Sequence, residues 1–252
     1  MLRRADTGDW VGTFVGHKGA VWACTLNDAA LIAATASADF SARVWNAVTG
    51  DELCSWAHRH IVRCAAFSRG HSQARLVTGG PEKLLRVFDL QRPEAEPSAM
   101  PLAPDSIRGA CWVHDNSALL VHYASRPGVD VWDLRSGGVV RTLETRGAVG
   151  SVDASADGRS VVVADGQEVR FLNGRTFDCA AVLAPGGCTA VESAALGPLG
   201  NVWVAGGADM WVHVYGADGI AEAVAGDASA GAAPAPALAL DSGRGHHGPV
   251  HC

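Results

Sequence analysis

Three side chains near the N-terminal end of the chain are of the types used in a hydrolytic triad. His17, Thr35 and Asp39 supply an imidazole, a hydroxyl and a carboxylate, and a hydrolase of the Ser-His-Asp kind combines these three groups. The threonine lies in a run of strand-forming residues, with no nucleophile-elbow sequence around it. The sequence therefore favours a structural hydrogen-bond network over a nucleophile.

The three residues belong to one patterned stretch, from Gly16 to Gly50. It starts with Gly-His, continues in short runs of small and β-branched residues, turns at Asp39 and ends on Trp45-Asn46. This layout is typical of a WD repeat, the unit of a β-propeller blade. In such a repeat the turn Asp accepts hydrogen bonds from backbone N–H groups and from the His. The His is hydrogen-bonded to the hydroxyl, and the hydroxyl is hydrogen-bonded to the Trp indole. We therefore predict a structural tetrad of His17, Thr35, Asp39 and Trp45.

The same register recurs along the chain. Aromatic residues at 45, 88, 132, 171 and 215 are 43, 44, 39 and 44 positions apart, at or close to the ~40–45 residues of a WD repeat. The sequence thus predicts an all-β WD-repeat β-propeller, a single domain over 1–252 with five complete blades and a stray strand at each end. The predicted degenerate repeat positions are His58, Thr78, Glu82, Phe88, Trp132, Asp133, Asp209, Tyr215 and His246.

The two ends and one internal segment depart from this pattern. Residues 9–15 predict a single outer strand of a preceding blade, and the final GHHGPVHC resembles the opening of a further repeat. Because blades are stabilised by their neighbours, we expect the sequence to be an incomplete propeller. Residues 221–243 are almost wholly Ala, Gly, Pro, Ser and Asp, which predicts a mobile low-complexity surface loop.

Composition narrows the function classes. The net charge of −6 gives no overall signal for nucleic acid, and the seven cysteines contain no CxxC pair, so neither disulfides nor a zinc site are indicated. His58 and His60 lack a third ligand nearby, and His246 of the His246, His247, His251 group occupies the Gly-His position of a repeat. No nucleotide-binding motif occurs, so no cofactor is predicted.

The chain shows no targeting or membrane signal. The N-terminal residues lack the apolar core of a signal peptide, and no stretch approaches the ~20 apolar residues of a membrane span. We expect a soluble intracellular protein with no membrane insertion.

Three basic residues are candidates for partner binding. Lys18 and Arg59 follow the repeat openings and Lys83 follows the second turn acid, so we expect them on the rim where propellers meet partners. Ordinary solvation of surface charges is the alternative.

Several segments carry a closer resemblance. GDWVGTFVGHKGAVWACTLN, AATASADFSARVWNAVTGDEL, GGPEKLLRVFDLQRPEAEP and GHHGPVHC resemble successive segments of the serine/threonine-kinase receptor-associated protein family, most specifically from Gly8 to Pro97. The loop RPEAEP adds weight because no propeller requires it. The resemblance places Met1 after the first blade of the family and Cys252 at the start of its last blade.

This resemblance implies a seven-bladed, non-catalytic scaffold located in cytoplasm and nucleus. It implies protein partners: the survival-of-motor-neuron and Gemin-type complex in spliceosomal ribonucleoprotein assembly and mRNA splicing, an RNA-binding translational regulator, and a transforming-growth-factor-β receptor kinase with an inhibitory Smad. RNA is then contacted only indirectly.

Two alternatives are open. The propeller subunit of a translation initiation factor shares the Gly-His repeat openings but lacks the RPEAEP loop. An enzymatic propeller would need polar residues converging on its central channel, whereas the predicted inner strands at 20–26 and 61–67 are apolar.

Overall fold

The protein is built of antiparallel strands separated by turns. The computed structural model describes residues 1–70, 75–185, 190–197, 201–217, 220, 224 and 239–244. The strands are β1 (Leu2–Arg3), β2 (Trp10–Gly12), β3 (Val21–Leu26), β4 (Ile32–Ser37), β5 (Ser41–Asn46), β6 (Glu52–Ala57), β7 (Cys64–Phe67), β8 (Arg75–Gly79), β9 (Arg86–Asp89), β10 (Ser98–Ala99), β11 (Ile107–Val113), β12 (Ala118–Tyr123), β13 (Pro127–Asp133), β14 (Gly138–Ala154), β15 (Ser160–Asp165), β16 (Glu168–Asn173), β17 (Cys179–Leu183), β18 (Val191–Leu196), β19 (Val202–Gly207), β20 (Trp211–Gly216) and β21 (Ala239–Arg244).

These strands pair in chain order, as expected of successive propeller blades. Strands β3 to β6, β7 to β10 and β18 to β21 form four-stranded sheets, and β11 to β17 form a seven-stranded sheet. The larger sheet contains two blades, because β14 pairs with β13 through Gly138–Ala148 and with β15 through Val149–Ala154. The predicted all-β class of a WD propeller is confirmed.

The chain divides into two compact units, Met1–Ala110 and Cys111–Cys252. In the first unit, Ala34 and Val44 of one sheet pack with Leu76 and Phe88 of the next in a shared core. Small residues on the strands allow this approach, since the side chains of neighbouring blades have to interdigitate.

In the second unit, large aromatic side chains fill the space between sheets. The ring of Phe171 meets the ring of Trp203 edge-on at 5.4 Å, and Tyr215 stacks on Trp203 at 4.2 Å. All three side chains are fully buried. The Ala194 N–H also donates to Ser151 Oγ at 2.8 Å, which joins β14 to β18.

Two predicted boundaries differ in the structure. The strand expected at 9–15 is shorter, Trp10–Gly12, and it is not single, because Leu2–Arg3 pairs with it. The loop predicted over 221–243 lies mainly outside the described residues, but 239–243 belong to β21, which pairs with β20. The loop prediction is therefore corrected at its C-terminal end: β20 offers an unpaired edge, and backbone pairing does not depend on side-chain type. The repeat predicted at His246 lies outside the described residues.

Within the part of the chain that the structure describes, there is no helix with the length and apolar character needed to cross a membrane.

The shared core of the first unit gives a stability prediction. Leu76 is fully buried, so Leu76→Ala should lower the free energy of unfolding by about 2–4 kcal/mol through lost contacts and a cavity. Leu102 in the same unit is 73% exposed, so Leu102→Ala should change it by less than about 0.5 kcal/mol. Urea unfolding followed by circular dichroism measures both, and equal losses would contradict the core assignment.

Candidate functional site

The four predicted tetrad residues lie together in the first four-stranded sheet. The Trp45 indole N–H donates to Thr35 Oγ1 at 2.8 Å, and Thr35 Oγ1 lies 2.7 Å from His17 Nε2. His17 Nδ1 lies 2.8 Å from Asp39 Oδ2. The arrangement fits a neutral imidazole that accepts from the threonine through Nε2 and donates to the carboxylate through Nδ1.

The same contacts have the connectivity of a hydrolytic triad, since a triad also joins acid to Nδ1 and hydroxyl to Nε2. Burial distinguishes the two functions. Thr35 is only 6% exposed and its oxygen already accepts the Trp45 N–H, so a substrate carbonyl has no approach to it. The arrangement can hold strands together but cannot present a nucleophile.

Asp39 anchors this network by its charge. Burial alone would raise the pKa of the Asp39 carboxyl, but hydrogen bonds from Ser41 Oγ, the Lys18 backbone N–H and His17 hold it well below its ordinary range. The ionised carboxylate is therefore retained throughout the neutral range.

The second repeat uses the same positions with different contacts. His58 Nε2 lies 2.9 Å from Thr78 Oγ1, but His58 Nδ1 lies 3.2 Å from the Trp56 carbonyl instead of the turn acid. Glu82 accepts the backbone N–H groups of Arg59 and His60. Its longer side chain places the carboxylate at the loop and leaves the histidine to a carbonyl.

Phe88 of the second repeat stands where the first repeat has Trp45, and its ring cannot donate a hydrogen bond. It stacks on Trp56 at 4.3 Å. Thr78 therefore has one partner where Thr35 has two.

The third repeat is closed by residues that the sequence pattern did not indicate. The Trp132 indole N–H donates to Tyr123 OH at 3.3 Å, and Tyr123 OH donates to Asp130 Oδ2 at 2.7 Å. Asp130 is only 2% exposed and also accepts from Thr142 Oγ1. Asp133, the predicted repeat residue, instead accepts the N–H groups of the turn after β13. Tyr123 precedes Trp132 by nine positions, whereas Thr35 precedes Trp45 by ten, so the spacing of the first repeat does not lead to this residue.

A second regularity was also missed, although the sequence contained its signal. In four of the five repeats an ionisable residue stands six positions before the closing aromatic, and a residue of opposite charge or a histidine follows it four positions later. The fourth repeat differs, because Val169 occupies that later position and Asp165 pairs with Arg170 at 2.9 Å. In the third repeat the charges are exchanged, with the arginine first and the aspartate second. The ion pairs are Arg43–Asp39 at 3.9 Å, Arg86–Glu82 at 2.6 Å and Arg126–Asp130 at 3.1 Å, and in the fifth repeat His213 Nε2 lies 2.6 Å from Asp209 Oδ2.

The fourth and fifth repeats complete the predicted aromatic series. Phe171 and Tyr215 are fully buried. Asp165 accepts the backbone N–H groups of Arg146 and Gly147 at 2.9 and 3.0 Å. Asp209 accepts the Trp211 N–H at 3.2 Å. The turn acids thus accept hydrogen bonds from backbone N–H groups in four of the repeats.

The predicted rim residues lie on the loops that these acids hold. Lys18 and Arg59 are exposed, and their backbone N–H groups donate to Asp39 and Glu82. Lys83 is half-buried, and its Nζ donates to the Pro104 carbonyl at 3.2 Å. The first two are therefore available to a partner, and the third is engaged within the unit.

The described residues contain no group of three His, Cys, Asp or Glu side chains arranged to hold a metal. Burial raises the pKa of the Cys54 thiol to about 11 and that of Cys64 to about 12, so neither supplies a thiolate at neutral pH.

Comparison with known proteins places these observations in a family. The family described as "WD domain, G-beta repeat" matches residues 8–46. Proteins named serine-threonine kinase receptor-associated protein from Homo sapiens and Gallus gallus are each 39% identical over 253 aligned residues, which cover 100% of this chain and 65% of the relative. The relative of that name from Dictyostelium discoideum is 38% identical over 252 residues, 78% of its length.

The chain belongs to the serine-threonine kinase receptor-associated protein family. It spans about 65% of the length of the vertebrate members. Eukaryotic translation initiation factor 3 subunit I of Mycosarcoma maydis is similar over a shorter region, with 33% identity over 94 residues, 36% of this chain.

The two threonines give a matched stability prediction. Thr35→Val removes the acceptor of Trp45 and the partner of His17, and should cost roughly 2–5 kcal/mol. Thr78→Val leaves only His58 unpaired and should cost roughly 1–3 kcal/mol. Thr25→Val, which removes a hydroxyl 3.4 Å from the Leu26 carbonyl, serves as the control with little effect. Urea unfolding compares the three, and an equal cost for the first two would contradict the network.

His58 gives a pH prediction. Burial, followed by the charge of Arg86, lowers the pKa of His58 from 6.5 to about 4. The unfolded chain therefore binds a proton that the folded chain does not, and stability should fall as the pH decreases from about 6.5 to about 4. His58→Gln should flatten this part of the profile, whereas His60→Ala, at an exposed histidine, should not. Parallel slopes for wild type and His58→Gln would contradict the assignment.

Proposed function

We propose that the protein is a non-enzymatic WD-repeat scaffold that binds other proteins through the hairpin and loop ends of its blades. The observation that carries the proposal is the pair of exposed cations, Lys18 and Arg59. They lie on loops whose backbone N–H groups donate to the carboxylates of Asp39 and Glu82. A rigid loop that presents unpaired charge loses little entropy when a partner binds. The buried and fully paired hydroxyl of Thr35 supports a role without catalysis.

The family resemblance supports a more specific role. We propose that the partners are of the survival-of-motor-neuron and Gemin type, in spliceosomal ribonucleoprotein assembly and mRNA splicing, together with an RNA-binding translational regulator. RNA is then held indirectly, and the protein acts in both cytoplasm and nucleus. The name of the relatives refers to receptor serine-threonine kinases, which supports a second role beside such a receptor and an inhibitory Smad.

The initiation-factor alternative has narrower support, because the similarity to subunit I covers 36% of the chain or less in the two relatives compared. A WD repeat alone produces a match of this length. The similarity to the receptor-associated proteins covers the whole of this chain, and it therefore favours that family over the initiation-factor subunit.

Affinity purification tests this proposal. The tagged full chain is recovered from cells of its own organism, with and without ribonuclease, and the co-purifying proteins are quantified by mass spectrometry. Ribonucleoprotein-assembly proteins at near-stoichiometric amounts, unchanged by ribonuclease, are the expected result. Recovery of the chain without any stoichiometric protein would overturn the scaffold role, and recovery of initiation-factor subunits would overturn the assembly role.

A further inference from the structure

We infer that one surface of the first unit binds an acidic peptide segment that contains an apolar side chain. The surface, here called the Phe40 patch, consists of Lys18, Phe40, Arg59 and His60. The inference rests on the proposed scaffold function and names the chemistry of the partner.

Contacts across two neighbouring blades bring the patch together. The rings of Phe40 and His60 lie 5.7 Å apart, and the His58 N–H donates to the Phe40 carbonyl at 2.8 Å. The Lys18 N–H binds Asp39, which precedes Phe40, and Arg59 precedes His60. The four residues therefore occupy one end of the two sheets of this unit.

The patch carries positive charge that the described part of the chain does not neutralise. The carboxylates at this end, Asp39 and Glu82, are occupied by backbone N–H groups and by the ion pairs with Arg43 and Arg86. No described carboxylate pairs with the Lys18 ammonium or the Arg59 guanidinium, although nine other arginines in the described residues form ion pairs. Two free cations on fixed loops favour a partner that supplies carboxylates.

His60 adds a directed donor. Its Nδ1 accepts the Ile61 N–H at 2.8 Å, so the ring carries its proton on Nε2 when neutral. Within the described residues Nε2 has no hydrogen-bond partner. A carboxylate that reaches Lys18 or Arg59 can therefore also accept from this ring.

Phe40 supplies the apolar part of the patch at a cost in backbone strain. It is 46% exposed and has a φ of 66°, in the left-handed region that glycine occupies without strain. Lys83 and Met210, at the equivalent positions after their turn acids, also have positive φ values, 60° and 66°. The turn therefore accepts a side chain at this position in three repeats, and in the first repeat that side chain is an exposed ring beside the two cations.

Charge favours a short acidic peptide over RNA. Single-stranded nucleic acid needs a basic track of several residues and free aromatic faces, but the patch offers two free cations, and one face of its aromatic ring is shared with His60. The net charge of −6 also repels a long polyanion. A few carboxylates around one apolar side chain match the patch.

Fluorescence anisotropy with the full chain tests the inference. The probe is a labelled dodecapeptide of Gly and Ser in which one central Leu is flanked by two Glu residues on each side. Comparison peptides carry Gly in place of the Leu or Lys in place of every acid, and a 12-nucleotide oligouridylate serves as the nucleic-acid probe. We expect the Leu-containing acidic peptide to bind best, with weaker binding at higher salt. Tighter binding of the oligouridylate or the Lys peptide, or equal binding of the Gly peptide, would overturn the inference.

Variants assign the binding to the patch. Lys18→Glu/Arg59→Glu should weaken the acidic peptide roughly tenfold, while Arg159→Glu, which changes an exposed arginine in the second unit, should leave it unchanged. Phe40→Gly should also weaken binding, yet raise the melting temperature because the strain is relieved, so unfolding cannot explain the loss. Unchanged binding in either patch variant would overturn the inference. If partners co-purify but the acidic peptide shows no preference, the inference alone fails, whereas absence of partners removes the proposed function.

Discussion

The blades of this protein depend on one electrostatic requirement. The segment that enters a blade carries backbone N–H groups that need an acceptor, and in the first, second and fourth repeats a carboxylate from the turn or strand end opposite accepts them. Asp39 does so for Lys18, and Asp165 does so for Arg146 and Gly147. Because hydrogen bonds to an ionised acceptor are strong, this one contact fixes both the loop and the turn.

Once the acid holds the loop, the rest of the lock can vary. In the second repeat Glu82 binds the loop, while His58 contacts a backbone carbonyl instead. In the third repeat Tyr123 joins the Trp132 indole to the Asp130 carboxylate. The exchanged charges of Arg126 and Asp130 preserve an ion pair across the same turn. All five repeats have a buried aromatic residue towards the end of their third strand, because that ring fills space between packed strands.

Features that depend on particular side chains could be predicted from the sequence, whereas features that depend on backbone pairing could not. The spacing of the closing aromatics and the first tetrad were predicted because they need particular residue types at fixed offsets. The Tyr123 and Asp130 pair was missed because a longer side chain reaches the same indole from another position. Strands β1 and β21 were missed because Leu2–Arg3 is very short, and residues 239–243 have a loop-like composition yet pair through their backbone with an open edge.

The length of β14 has a consequence for how the second unit opens. This strand runs for 17 residues, from the outer position of one blade to the inner position of the next, without a turn. In the first unit, by contrast, residues 58–63 separate the sheet ending at Ala57 from the sheet beginning at Cys64. Because both blades share this strand, we expect their amide protons to exchange with solvent together, as one cooperative unit.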